Sequence, residues 1–325
     1  MASEAAPVVV DECRGVLFLH SDGSVSRRSQ PGFPTPVRDD GSVEWKDSTF
    51  DAANGLGLRL YRPRDDGVVG RRRLPVFFYF HGGGFCIGSR AWPNCQNYCL
   101  RLAAGLGALV VAPDYRLAPE HRLPAALDDA AAALLWLAAA ADPWVAESAD
   151  LARVFVSGDS AGGNLAHHLA VRFGSPSGRA ALSPAAVAGY VQLMPFFGGV
   201  EPTRSEAECP DDAFLNRALN DRYWRLSLPE GATVDHPVAN PFGPGAPALE
   251  GVEIAPTLVV VGGADILHDR AVDYAARLKA MGKPVEVREF EGQQHGFFTI
   301  DPWSDAADEL MRVVKRFVDS DGRFD

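Results

Sequence analysis

Two glycine-rich segments carry the clearest chemistry in the chain. Gly158-Asp159-Ser160-Ala161-Gly162 matches Gly-x-Ser-x-Gly, a sharp strand-to-helix turn that exposes a serine hydroxyl as a nucleophile. Upstream, His81-Gly82-Gly83-Gly84 offers backbone N–H groups that can stabilise negative charge on an attacked carbonyl oxygen. Either segment alone could be an ordinary turn. Together, and in this order, they predict attack of a serine on a carbonyl compound.

The residues around each segment favour this interpretation. The apolar run 153–157 is typical of a buried parallel strand, and the alanine- and leucine-rich residues 161–173 are typical of a helix. Ser160 therefore falls between a strand and a helix, where such a turn requires it. Residues 75–80 form a second strand-like run that ends directly at His81.

A nucleophilic serine needs a base, and the base needs an acid that orients it. In proteins that carry the nucleophile on such a strand-to-helix turn, the acid and then the histidine follow the serine along the chain. Asp265 follows the buried run 257–262, and His295 follows the strand-like run 285–291. Both residues therefore fall at the carboxyl edge of one predicted sheet, together with Ser160.

Other histidines and aspartates are weaker candidates for these roles. Of the other seven histidines, two lie on the predicted helix after the serine, one begins the glycine loop, and one is expected in a packed turn at 118–121. The last three do not follow a predicted strand that ends at the right place. His295 is therefore the predicted base. Asp269 and Asp273 remain alternatives to Asp265, but both fall on a predicted helix where an acidic residue often marks only a solvated face.

Alternating apolar runs and helical segments predict the scaffold. Residues 15–19, 42–50 and 56–61 are expected to open the sheet as antiparallel strands. Parallel strands are expected at 75–80, 107–112, 153–158, 187–194, 257–262 and 285–290, and helices at 92–105, 123–140, 160–173, 268–281 and 304–319. The pattern predicts an α/β fold, with a mostly parallel central sheet flanked by helices, in a single domain spanning 1–325.

Two segments depart from this alternation and are expected to form a cap. Residues 1–40 are rich in Pro, Ser and Gly, and residues 198–250 hold a helical stretch between proline-rich turns. A cap over the carboxyl edge would exclude water and select bulky apolar esters or lactones. Phe85 and Phe297, next to the glycine loop and the base, are the predicted substrate-binding residues. Further aromatic candidates for the pocket are Phe18, Phe33, Phe214, Tyr223, Trp224 and Phe298.

The motifs taken together resemble the hormone-sensitive-lipase-like branch of the α/β hydrolases. They are His-Gly-Gly-Gly-Phe (81–85), Asp-Tyr-Arg-Leu-Ala-Pro-Glu-His (114–121), Gly-Asp-Ser-Ala-Gly-Gly-Asn (158–164) and His-Gly-Phe (295–297). Within this branch the chain resembles the plant carboxylesterases, the group to which the gibberellin receptors belong. Residues 11–17, 21–23 and 88–90 resemble in particular plant carboxylesterases implicated in strigolactone hydrolysis.

The resemblance implies an α/β-hydrolase fold and a Ser160, Asp265 and His295 triad. It also implies oxyanion donors on the backbone of Gly83, Gly84 and Ala161. Gibberellin receptors carry an apolar residue in place of the histidine, so His295 indicates an enzyme. The implied activity is a serine carboxylesterase acting on small-molecule esters or lactones, such as strigolactone, defence metabolites or xenobiotic esters. A hormone receptor with a vestigial triad, and a lyase or acyltransferase on this scaffold, are the alternatives.

The charge and composition of the chain argue against several classes of binding partner. The formal net charge of −11 argues against nucleic acids and anionic membranes, and the one dense basic run, 71–73, is expected in a solvated loop. No apolar run reaches the roughly 20 residues that span a bilayer, and the N-terminus does not read as a secretory signal. The five cysteines lack metal-binding spacing, and the chemistry requires no metal or cofactor. A cytoplasmic protein is expected, with the nucleus as a second compartment.

Overall fold

Eleven strands are found in the part of the chain that the computed structural model describes, residues 7–29, 35–64 and 73–324. They are β1 (Val9–Cys13), β2 (Leu17–His20), β3 (Val25–Arg27), β4 (Val43–Asp51), β5 (Leu56–Pro63), β6 (Leu74–Phe80), β7 (Leu109–Pro113), β8 (Ala149–Asp159), β9 (Val187–Leu193), β10 (Thr257–Gly262) and β11 (Val285–Phe290). The last eight form one sheet in the order β11-β10-β9-β8-β6-β7-β5-β4.

The larger sheet is parallel from β11 to β7, and β5 and β4 join its other end as antiparallel strands. Parallel strands bring their carboxyl ends to one edge of the sheet, so residues that follow β6, β8, β10 and β11 meet there. The predicted α/β hydrolase architecture is confirmed.

Ten helices are present in the same described ranges. They are α1 (Pro93–Leu106), α2 (Ala125–Ala138), α3 (Pro143–Ser148), α4 (Ala161–Gly174), α5 (Pro176–Leu182), α6 (Arg204–Ala207), α7 (Arg217–Ser227), α8 (His268–Ala280), α9 (Phe297–Ile300) and α10 (Asp305–Asp319). The five long predicted helices correspond to α1, α2, α4, α8 and α10, with bounds that differ by a few residues.

The core is divided by the sheet into two layers, as alternation along the strands requires. On β6, Val76 and Phe78 pack with the layer that contains α2, α4 and α8, whereas Phe77 and Tyr79 pack with the layer that contains α1 and α10. All four side chains are at most 1% exposed. This burial on both faces fixes β6 rigidly and with it the loop that follows.

The N-terminal segment forms a separate sheet, which corrects one expectation. Residues 15–19 were expected to open the main sheet, but β2 lies between β1 and β3 in a three-stranded antiparallel sheet. An apolar run specifies a strand and not the neighbour with which it pairs. Asp11 holds this small sheet against α7 through ion pairs with Arg222 (2.9 Å) and Arg225 (2.6 Å).

Membrane-spanning helices, metal sites and disulfides were also considered from the sequence. In the described ranges no helix is long and apolar enough to cross a membrane. Within the same ranges no group of three or more His, Cys, Asp or Glu side chains is arranged to hold a metal ion. All five cysteines are free thiols. Phe33, Arg71 and Arg72 lie outside the described residues.

Candidate active site

Ser160 lies at a strained turn between β8 and α4. Its φ of 53° and ψ of −115° are unusual for a residue with a side chain, as a nucleophile turn requires. Gly162 makes the turn possible, because a Cβ there would collide with the carbonyl oxygen of Phe80 on the neighbouring strand. Ser160 is 6% exposed and lines a cavity at the carboxyl edge of the sheet.

The glycine loop after β6 borders the same cavity. Gly83 and Gly84 have φ values of 118° and 58°, and both line the cavity beside Ser160. The loop is tight because the N–H groups of Cys86 and Ile87 both donate to the Gly83 carbonyl oxygen at 3.0 Å. The glycine loop is therefore a tight turn that borders the cavity beside Ser160.

Ala161 is the first residue of α4 and directly follows Ser160. The first N–H groups of a helix have no partner within the helix and carry its positive partial charge. The Ala161 N–H is thus a donor adjacent to the serine. Together with Gly83 and Gly84 it can stabilise negative charge near the serine hydroxyl.

His295 and Asp265 form a buried pair. His295 Nδ1 lies 2.8 Å from Asp265 Oδ2, and the two residues are 7% and 3% exposed. The other oxygen of Asp265, Oδ1, accepts the Leu267 N–H at 3.0 Å, which fixes the carboxylate. Because Nδ1–H is donated to Asp265, Nε2 is the nitrogen left to accept a proton. His295 lines the cavity with Ser160.

The two alternative aspartates are engaged elsewhere on α8. Asp269 accepts the Ser205 N–H at 2.8 Å and lies 3.0 Å from the ring of its neighbour His268. Asp273 pairs with Arg277 one turn further along the helix. Neither is hydrogen-bonded to His295, whose carboxylate partner is Asp265.

Asp159 is a cavity residue that the sequence analysis did not single out. Its Oδ1 accepts the Tyr79 hydroxyl at 2.6 Å, and the Gly82 N–H also binds its carboxylate. Removal from water raises the pKa of Asp159, and these hydrogen bonds oppose that shift. The carboxylate thus ties the serine turn to the glycine loop. Its position directly before Ser160 was the available signal.

Residues 114–121 support the glycine loop through hydrogen bonds and ring stacking. The Tyr115 hydroxyl donates to the His81 carbonyl oxygen at 2.8 Å, and the two rings stack with centroids 4.4 Å apart. The Ala118 N–H donates to the Phe85 carbonyl oxygen at 2.8 Å. Both ends of the loop are therefore held by hydrogen bonds to one neighbouring segment.

Arg27 on β3 fastens the N-terminal sheet to this support. Its guanidinium donates to the carbonyl oxygens of Cys86 (2.6 Å) and Ala118 (2.7 Å) and forms an ion pair with Glu120 (2.7 Å). Cys86 is fully buried, and burial raises the pKa of its thiol. It serves packing and is not a residue of the cavity wall.

In the described parts of the two predicted cap segments, five side chains line the cavity. The 1–40 segment contributes Arg14, and the 198–250 segment contributes aromatic and aliphatic side chains, namely Phe214, Leu215, Leu219 and Tyr223. The cavity is also lined by residues that run from the glycine loop into the first turn of α1, including Ile87, Ser89, Trp92, Asn94 and Cys95.

Phe85 and Phe297 do not line the cavity, contrary to expectation. Phe85 is 1% exposed and packs among Tyr115, Phe196 and Trp224, with ring centroids 6.1 to 6.5 Å apart. Phe297 is 4% exposed and packs in the other core layer. Adjacency in sequence to the loop and the base placed both residues near the site but inside the core.

Comparison with known proteins agrees with this architecture. A family model described as the alpha/beta hydrolase fold matches residues 77–299. Carboxylesterase 20 of Arabidopsis thaliana is 35% identical over 327 residues, which cover 97% of this chain and 98% of that protein. Gibberellin receptor GID1C of Arabidopsis thaliana is 36% identical over 323 residues, covering 94% and 90% of the two chains.

Solved structures show the same relationship. A hyperthermophilic esterase from the archaeon Pyrobaculum calidifontis superposes with a TM-score of 0.71 at 31% identity. The superposition covers 88% of this chain and 86% of the esterase. The residues matched by the family model, 77–299, include Ser160, Asp265 and His295.

Proposed function

This chain belongs to the α/β-hydrolase family, in which it is a carboxylic-ester hydrolase similar to the plant carboxylesterases, and we propose that it works through Ser160, His295 and Asp265. The observation that carries this assignment is the buried 2.8 Å contact between His295 and Asp265, with His295 in the same cavity as Ser160. A histidine held this way through Nδ1 keeps Nε2 available as a general base.

The proposed reaction proceeds in two halves. In the first, the Ser160 hydroxyl attacks the ester carbonyl carbon while His295 Nε2 takes its proton, and Asp265 stabilises the imidazolium. The imidazolium then protonates the departing alcohol, which leaves an acyl group on Ser160. In the second half, water attacks the acyl carbon while His295 takes its proton, and the imidazolium then returns that proton to the Ser160 oxygen as the acid leaves.

The negative charge of each tetrahedral intermediate is held by backbone N–H groups. Gly83, Gly84 and Ala161 are the proposed donors. Preorganised donors of this kind act without reorientation during the reaction, and losing one typically costs about 10² to 10³ in turnover. Asp159 accepts the Tyr79 hydroxyl, and the Tyr115 hydroxyl donates to the His81 carbonyl oxygen. These hydrogen bonds hold the serine turn and the glycine loop in place.

The proposed substrates are small-molecule esters or lactones with a bulky apolar part. Phe214, Leu215, Leu219 and Tyr223 give the cap side of the cavity an aromatic and aliphatic surface. Such a surface favours apolar groups over short, polar acyl chains. A plant hormone such as strigolactone and xenobiotic esters are candidates of this class.

A receptor role is less well supported by the site. The similarity to a gibberellin receptor extends over most of the chain, but a ligand-binding protein gains nothing from a buried acid that orients a histidine beside a serine. His295 and Asp265 would instead add a desolvated polar pair that binding does not need.

The test is turnover of p-nitrophenyl esters, from acetate to octanoate, by the wild type, Ser160→Ala and His295→Ala. We expect rapid wild-type turnover with an optimum above acetate, and loss of at least 10³-fold in both variants. His121→Ala is the matched control, because His121 is exposed and lies outside the cavity. Wild-type-like turnover by a folded Ser160→Ala protein would refute the assignment. Product analysis separates hydrolysis from elimination and acyl transfer.

A further inference from the structure

We propose that Arg14 is a specificity-determining residue, which binds a carboxylate carried by the substrate in addition to its scissile ester. This inference rests on the proposed esterase function and narrows its substrate class. Arg14 is the one Lys or Arg side chain among the described residues that line the cavity of Ser160 and His295. It comes from the tip of the hairpin between β1 and β2, far from the catalytic motifs in sequence.

The hairpin tip is held firmly over the cavity. Arg14 has a φ of 50°, and the turn is closed by the Val16 N–H donating to the Cys13 carbonyl oxygen at 3.0 Å. The strand that leads into it is fastened to α7, where Arg222 donates to the Glu12 carbonyl oxygen at 2.6 Å. α7 also carries the cavity residues Leu219 and Tyr223, so the arginine and this wall form one unit.

The guanidinium is positioned by aromatic side chains. Its central carbon lies 3.8 Å from the centroid of the Phe214 ring, in cation–π geometry, and the group is close to the Tyr223 hydroxyl. Stacking leaves the edge of a guanidinium, with its N–H groups, available to a planar acceptor. Arg14 and both aromatic residues line the cavity, so a bound molecule can reach the guanidinium.

Charge balance at the site leaves this cation available. In the described ranges Arg14 forms no ion pair with an Asp or Glu side chain, whereas Arg222 and Arg225 of α7 both pair with Asp11. The cavity carboxylate, Asp159, is occupied by the Tyr79 hydroxyl and the Gly82 N–H. A half-buried guanidinium with no acidic partner among the described residues is therefore matched by a carboxylate from the substrate.

Two pairs of esters test this proposal by placing the carboxylate in either half of the substrate. One pair is p-nitrophenyl hydrogen suberate and the p-nitrophenyl ester of suberic acid monoamide. The other is para-butyryloxybenzoate and para-butyryloxybenzamide. Each pair differs only in a carboxylate against a neutral amide of similar size. Calorimetry with the Ser160→Ala protein measures binding of the intact esters, independently of turnover.

We expect at least one carboxylate to bind more tightly than its amide. In the Ser160→Ala background, Arg14→Gln should lower that preference about 10- to 100-fold, the effect of losing a charge-assisted hydrogen bond. Arg14→Lys should keep part of the preference because it keeps the charge. Arg28→Gln is the matched control, since Arg28 is an exposed arginine of the same segment, 5.1 Å from the Phe18 ring and outside the cavity.

A preference that is absent, or that survives Arg14→Gln in a protein with an unchanged melting temperature, would overturn the proposal. If Arg14→Gln weakened binding of the carboxylate and of its amide equally, the proposal would also be overturned, because Arg14 would then be a structural residue. Equal loss of the preference in Arg14→Gln and Arg14→Lys would show that charge is not what is recognised. Failure of the esterase function is seen separately, as absence of wild-type turnover of p-nitrophenyl butyrate.

Discussion

Acidification is expected to destabilise the protein through two histidines on the helix that positions Ser160. His167 is 2% exposed, and its Nδ1 lies 3.0 Å from the Tyr274 hydroxyl, which also accepts from Gln192 at 3.1 Å. The Tyr274 hydroxyl therefore donates to His167, which must be neutral to accept. Burial lowers the pKa of His167 well below its usual value, and lowers the pKa of His168 to about 4.

The size of the effect follows from proton linkage. An unfolded histidine has a pKa of about 6.5, so it is about one quarter protonated at pH 7 and almost fully protonated at pH 5, whereas native His167 stays neutral. The free energy of unfolding should therefore fall by about 2 kcal/mol for His167 over this interval. His168 should add a loss of similar size over this interval, because with a native pKa of about 4 it too binds almost no proton above pH 5. For His168 the loss levels off below its native pKa of about 4.

Urea unfolding at pH 7 and pH 5 measures this loss in the wild type and in His167→Asn. The asparagine oxygen can replace Nδ1 as acceptor for Tyr274 but does not titrate, so the pH-dependent loss should shrink by about 2 kcal/mol. His121→Asn, at an exposed histidine, is the control and should change nothing. An identical pH-dependent loss in the wild type and His167→Asn would refute the reasoning.

Two further substitutions test the site and its support. Asp265→Asn should lower kcat by about 10⁴-fold in steady-state kinetics with the fold retained, because the amide cannot hold His295 in its productive tautomer; a change of less than tenfold would contradict that role. Tyr115→Phe removes the donor to the buried His81 carbonyl oxygen and should cost about 1 to 3 kcal/mol in urea unfolding. Tyr98→Phe is its control, since the buried Tyr98 hydroxyl has no partner in the described structure, and equal losses in the two variants would count against the argument.

The parallel sheet could be predicted because its strands are buried on both faces and appear as continuous apolar runs. β6 and β10 follow this rule, and the predicted bounds differ from the observed ones by at most one residue. The N-terminal strands gave no such signal. Val9 and Val10 of β1 are 50% and 58% exposed, so that strand was missed, and the partner of β2 was misjudged.

The candidate site residues could be placed from their order after successive strands, whereas the cavity wall could not. Arg14 reaches the site through the docking of a hairpin on α7, which depends on the ion pairs of Asp11. Phe85 sits beside the loop in sequence but packs against Trp224 in the core. Sequence neighbours share a location, but the direction of a side chain depends on tertiary packing.

Covalent labelling tests the central claim, a serine nucleophile activated by a histidine, most directly. The protein would be incubated with diethyl p-nitrophenyl phosphate, which transfers its diethylphosphoryl group to an activated serine and releases p-nitrophenol. Peptide mass spectrometry should find one adduct, on Ser160, that forms rapidly in the wild type and very slowly in His295→Ala. An active protein whose label lies on another residue, or whose labelling of Ser160 is unaffected by His295→Ala, would contradict the account.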